Sequence, residues 1–182
     1  MNQNLLVFAI ILLVATAANS IPLVNKLEKR VTTYMQCPLK PSPPPTLSVY
    51  TIPDPLVAGG TATFYMEGSF ARPATQGSAI VFAFFDQYDN LLENPPYAID
   101  ICSSTNIYCP ISRIYGYSYV PVPYNLPKVY SVYVIVIDPT GKYALSCAGA
   151  VVGGSSGYLT FNSTSSLTYN FTDNATFILK DP

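Results

Sequence analysis

Between Cys37 and Val152 the chain never goes more than about fourteen residues without a turn former, and this punctuation restricts its fold more than any other feature. Pro53-Asp54-Pro55, Gly59-Gly60, Arg72-Pro73, Gln76-Gly77, Asn94-Pro95-Pro96, Asn125 and Asp138-Pro139-Thr140-Gly141 separate short runs rich in β-branched and aromatic residues. No run carries helical periodicity of useful length. The spacing predicts seven strands, over 46–51, 61–70, 78–85, 97–101, 111–120, 129–138 and 142–152. An all-β, immunoglobulin-like two-sheet sandwich follows. In 61–67, Ala62, Phe64 and Met66 alternate with Thr61, Thr63, Tyr65 and Glu67, so the first set points between the sheets. In 80–85 and 129–137 both parities are apolar, which is more apolar surface than one face of a sandwich requires.

Composition excludes several function classes. With 182 residues there is one core to fill, and 49% hydrophobic against 10% charged residues is enough to fill it. The formal charge is −1 and no basic stripe exists, so a nucleic-acid partner is not expected. The sequence contains no histidine, which removes every serine–histidine or cysteine–histidine triad and argues against an enzyme. Gly153-Gly154-Ser155-Ser156-Gly157 matches the nucleophile-elbow pattern by letter only, and it reads as a linker. Asp86, Asp89, Glu93 and Asp100 lack the spacing of a calcium loop, and no C-x-x-C pair suggests zinc, so neither metal nor cofactor is expected.

The ends read as processing and surface segments. Residues 1–20 hold an apolar stretch from Leu5 to Ala15 followed by small residues, the pattern of a secretory signal peptide. It is shorter than the ~18–20 residues a membrane-spanning helix needs. Residues 21–30 end in the dibasic Lys29-Arg30, read equally well as a propeptide cut and as a solvated patch. Cutting there leaves six basic and nine acidic residues. Residues 31–152 form the domain, in which a stiff proline-rich segment at 40–45 leads into the first strand. Residues 153–182 are a Ser/Thr/Asn-rich tail with glycosylation sequons at Asn162, Asn170 and Asn174, where alternation of Tyr169, Phe171 and Phe177 leaves space for an added edge strand. Secretion into an extracellular space or an endolysosomal or vacuolar lumen would oxidise the four cysteines, for which three pairings exist.

An ordered set of motifs narrows the reading. Ala58-Gly59-Gly60-Thr61 leads into a strand reaching Gly68; Cys109-Pro110-Ile111, Tyr117-Ser118-Tyr119, Leu126-Pro127, the Asp138 to Gly141 turn and Cys147 follow in order. This order resembles the ML lipid-recognition family, secreted β-sandwiches that include the Niemann-Pick C type of sterol carrier and fungal phosphatidylglycerol/phosphatidylinositol transfer proteins. Arg113-Ile114-Tyr115-Gly116 stands where the fungal proteins place a glycine soon after the cysteine–proline motif. The resemblance implies the disulfides Cys37–Cys147 and Cys102–Cys109. It also implies an internal apolar cavity between the sheets for a phospholipid or sterol, a monomer, and transient membrane contact. Phe64, Met66, Ile80, Phe82, Phe84, Tyr97, Val129, Tyr133, Ile135 and Ile137 are the lining candidates, and uncharged Ile114 to Tyr124 is the candidate docking edge. A secreted adhesion or immune-modulating sandwich that uses exposed tyrosines and has no cavity is the alternative.

Overall fold

In the computed structural model, residues 32–39, 43–103, 107–154 and 177–179 are described. Strands β1 (Ser48–Ile52), β2 (Thr61–Ala74), β5 (Ile111–Pro121) and β8 (Phe177–Leu179) form one sheet, in the order β1-β2-β5-β8. Strands β4 (Tyr97–Asp100), β3 (Ala79–Asp86), β6 (Tyr130–Ile137) and β7 (Ala144–Val152) form the other, in the order β4-β3-β6-β7. Every pairing between these strands is antiparallel. The expected all-β sandwich is what the chain forms, with β8 as an additional edge strand that pairs Tyr117 with Ile178.

Alternation sets the core in the first sheet as the sequence implies. Val49 and Thr51 of β1, Ala62, Phe64 and Met66 of β2, and Ile114, Ser118 and Val120 of β5 are buried, while their neighbours along each strand are more open. Facing them from the second sheet are Ile80, Phe82 and Phe84 of β3, Ile99 of β4, and Val132, Val134 and Val136 of β6. The Phe64 ring stands edge-on to Phe82 at 5.0 Å and to Phe84 at 6.5 Å, so the two sheets interlock through aromatic rings.

A second apolar cluster lies on the far side of the β4-β3-β6-β7 sheet. It contains Val81, Ala98, Tyr133, Ile135 and Ile137 together with Cys37 and Cys147, and Leu39 packs onto it. The cover is the segment before β1. Met35 exchanges two 2.8 Å hydrogen bonds with Gly149, and the Cys147 N–H donates to the Pro45 carbonyl before Leu47 carries the chain across to the other sheet. This segment therefore occupies the outer edge of β7. The Cys37–Cys147 disulfide bolts it down, and Cys102–Cys109 closes the short loop ahead of β5, the two pairings that the resemblance implies.

Carboxylates shape the loops. Asp138 Oδ1 accepts the N–H groups of Lys142 and Tyr143, which is why β7 begins at Ala144 rather than at Lys142. Asp86 accepts from the N–H groups of Tyr88 and Asn90 and from the Asn90 side chain, and these bonds hold its carboxyl below the usual range. Asp100 accepts from Cys102 and Ser103. The acidic residues weighed as calcium ligands thus include two that brace turns. Strand β2 runs past the expected Phe70 to Ala74, through a register irregularity opposite β5.

Candidate functional site

The end of the sandwich at which β1, β5 and β7 finish and β6 begins is the open one. Its two long loops, 53–60 and 122–129, are tied together: the Gly59 N–H donates to the Pro123 carbonyl and the Val122 N–H to the Gly60 carbonyl. Gly59 has φ +70°, and a side chain there would lie 2.6 Å from the Tyr124 ring, so the glycine leaves room for one edge of that ring beside the neighbouring loop. Gly153, with φ +81°, passes so close to the Lys128 carbonyl that no Cβ fits. These close approaches fix the rim.

Within the rim is a pocket of about 310 Å³. Pro55, Leu56, Leu126, Pro127, Tyr130 and Val152 line it, with Lys128 exposed at its edge. Tyr130 also belongs to the inter-sheet core, so the floor of the pocket is the end of that core. Outside the rim Tyr124 is 90% exposed and Val57 58%, apolar surface that the loops hold in water.

Polar atoms lie under this pocket. Thr51 of β1 and Tyr130 of β6 each stand near Tyr34 of the segment before β1, and all three hydroxyl oxygens are buried without a hydrogen-bond partner among the described residues. Thr51 stands beside the Tyr34 phenol and the Leu56 backbone beside the Tyr130 phenol, close enough to favour ionisation slightly but outside hydrogen-bond geometry. Burial, with nearby Asp54 adding to it, pushes the Tyr130 phenol up to about 12. Burial also raises Tyr34 far above the ordinary phenol value.

The expected lining residues divide. Phe64, Met66, Ile80, Phe82 and Phe84 are buried between the sheets, and Tyr97 packs against them partly buried, its hydroxyl donating to the Tyr119 carbonyl at 3.4 Å. Val129 is half-buried just ahead of β6, near the rim. Tyr133, Ile135 and Ile137 are a correction. They face away from the inter-sheet space and lie under the Cys37 segment, because β6 is apolar on both faces and its even-numbered residues are the ones turned inward. Tyr133 packs edge-on to Phe85 there, and burial raises its phenol to about 12.

The docking segment also divides by parity. Ile114, Val120 and Val122 are buried, and Tyr115, Tyr117 and Tyr119 lie on the outer face of the first sheet; Tyr124 alone among these tyrosines reaches the rim. Tyr117 extends an aromatic row across that face, with Tyr50 stacked on Tyr65 at 4.4 Å and Tyr65 5.5 Å from Tyr117. Sequence reasoning missed Leu56, Leu126 and the hydroxyl trio as neighbours in one place. Leu126-Pro127 was visible as a motif, but nothing in the pattern joined it to Tyr34 or Thr51. The expected signal segment at 1–20, the dibasic segment at 21–30 and the sequons at Asn162, Asn170 and Asn174 lie outside the described residues.

Two face-to-face antiparallel sheets, a crosslinked N-terminal cover and an apolar pocket at one end make this a two-sheet β-sandwich domain. The chain belongs to the ML domain family, a family of lipid-recognition domains, and the match spans residues 31–152, more than half of the sequence. No curated protein matches the chain. Two disulfides in such a domain fit an extracellular or lumenal protein.

Proposed function

We propose that this protein is a secreted, non-catalytic, monomeric lipid carrier that takes a phospholipid or sterol into the apolar space between its two sheets and moves it between membranes. The observation that supports this reading best is the pocket whose floor, Tyr130, is also part of the inter-sheet core. A pocket of about 310 Å³ is at the small end for a ligand site, so a whole lipid also needs the sheets to part beneath it. The driving force is large: at about 0.8 kcal/mol per CH₂, shielding a sixteen-carbon chain from water is worth roughly 12 kcal/mol. Phe64, Phe82 and Phe84 then line the tail, and Tyr124 and Val57 touch the membrane interface, where tyrosine is favoured. The compartment is extracellular or the endolysosomal or vacuolar lumen.

The aromatic row Tyr50–Tyr65–Tyr117 favours a second reading, an adhesion or immune-modulating sandwich that uses its outer face. Organic-solvent extraction of the secreted protein, followed by mass spectrometry, separates the two. A carrier brings about one lipid per chain. Protein that arrives lipid-free and gains none from vesicles would refute the carrier.

A further inference from the structure

We propose that the hydroxyls of Tyr34, Thr51 and Tyr130 form a neutral polar anchor beneath the end pocket, which selects an uncharged oxygen head, a lipid hydroxyl or carbonyl, over a phosphate. The proposal rests on the carrier reading and specifies the head group that such a carrier holds.

Three observations converge. Tyr130 is 4% exposed and Thr51 6%, yet neither hydroxyl has a hydrogen-bond partner among the described residues, and the Tyr34 oxygen beside them is equally buried and equally unpaired. Buried hydroxyls in folded proteins are nearly always satisfied, so three orphans from three separate segments, with Thr51 and Tyr130 each near the Tyr34 phenol, mark a place where a partner is expected. Tyr130 lines the pocket, which gives that partner a route to the trio. The third observation is the charge nearby. Asp54 faces both phenols, and its carboxylate accepts from the Thr32 N–H at 2.8 Å and from the Thr32 hydroxyl. A phosphate brought to the trio would meet that carboxylate. The one cation of the lining, Lys128, is out at the exposed rim. The phenols are protonated at neutral pH as any tyrosine is, and burial only moves their ionisation higher, so they offer O–H donors to an oxygen that carries no full charge.

Probes with one tail and three heads test this: dodecanol, 1-chlorododecane and dodecyl phosphate, titrated into the delipidated full chain and followed by tyrosine fluorescence. The protein has 15 tyrosines and no tryptophan. The alcohol should bind at least about tenfold tighter than either other probe, the value of roughly one hydrogen bond to an otherwise unsatisfied buried group. Thr51→Val and Tyr130→Phe should each remove most of that preference and leave chloride affinity within about twofold. Equal binding of alcohol and chloride would overturn the anchor while leaving the carrier standing, as would tighter binding of the phosphate or an alcohol preference that survives both substitutions. Failure of all three probes, with no co-purified lipid, would overturn anchor and carrier together. Should a substitution prevent folding, the three-probe comparison on the unaltered chain decides alone.

Discussion

The two disulfides close loops of very different length, and that difference sets a measurable gap in stability. Cys37 and Cys147 are 110 residues apart, Cys102 and Cys109 only 7. In the chain-entropy treatment these crosslinks destabilise the unfolded chain by about 4.8 and about 2.3 kcal/mol respectively. Replacing Cys37 and Cys147 with alanine should therefore cost about 2.5 kcal/mol more than the same change at Cys102 and Cys109. Burial widens the gap: Cys37 and Cys147 are 1% and 0% exposed, inside the cluster that covers Ile135 and Ile137, so trimming both sulfurs also loosens that cluster. For a domain of this size roughly 4 °C of melting temperature accompanies each kcal/mol, so the two variants should melt about 10 °C apart. Urea unfolding followed by far-UV circular dichroism gives the free energies by linear extrapolation. The long-loop variant should also show a larger m value, since its unfolded chain is released from a crosslink that kept it compact. Equal losses within about 0.5 kcal/mol, or a larger loss from the short loop, would refute the reasoning.

Phe82→Ala and Ile135→Ala should each cost about 2–5 kcal/mol in denaturant unfolding, both side chains being buried, but only Phe82→Ala should alter lipid binding, because Ile135 faces the Cys37 segment. A binding change in both variants would return Ile135 to the lining. Tyr124→Asp should slow lipid transfer between vesicles while bound lipid and stability stay unchanged, since the ring is exposed at the rim; unchanged transfer removes the rim from the mechanism. Val122→Asp, by contrast, places a carboxylate at a buried position and should unfold the domain. The phenols of Tyr34, Tyr130 and Tyr133 are raised above the unfolded value near 10, so their neutral forms favour the folded state. Between pH 10 and 12 the unfolded chain binds fewer protons than the folded one, so stability should fall as pH rises through that window. Tyrosinate absorbance should show that these three phenols ionise only with unfolding, and smooth titration of all fifteen tyrosines before it would contradict the burial.

How far the sequence was legible depended on whether a strand alternates. In β2 the pattern Ala62, Phe64, Met66 against Thr63, Tyr65, Glu67 has one apolar parity, and it is the one turned inward. In β6 all eight residues are buried, four facing the other sheet and Tyr133, Ile135 and Ile137 facing a cover built by the segment before β1. Local pattern cannot distinguish those faces, because the cover comes from a stretch about a hundred residues away whose own sequence gives no periodic signal. The same distance hides the hydroxyl trio. Tyr34 sits in an irregular segment, and Thr51 looks like an ordinary strand threonine until β6 is laid across it. The disulfide pairing was legible only because the motifs pointed to a family, since four cysteines alone leave three choices.

Strand β8 has a bearing on solubility. Its three residues pair with Gly116, Tyr117 and Ser118, covering the middle of an edge that β5 would otherwise present to solvent as a row of free N–H and C=O groups. Beside that edge runs the flat tyrosine row of the same sheet. A chain shortened after Gly154 loses that pairing and leaves the β5 edge open beside tyrosines already partly exposed on the same sheet, which is the combination through which one molecule's sheet extends into the next. In preparations of such a shortened chain, concentration rather than temperature would then govern how long the protein remains in solution.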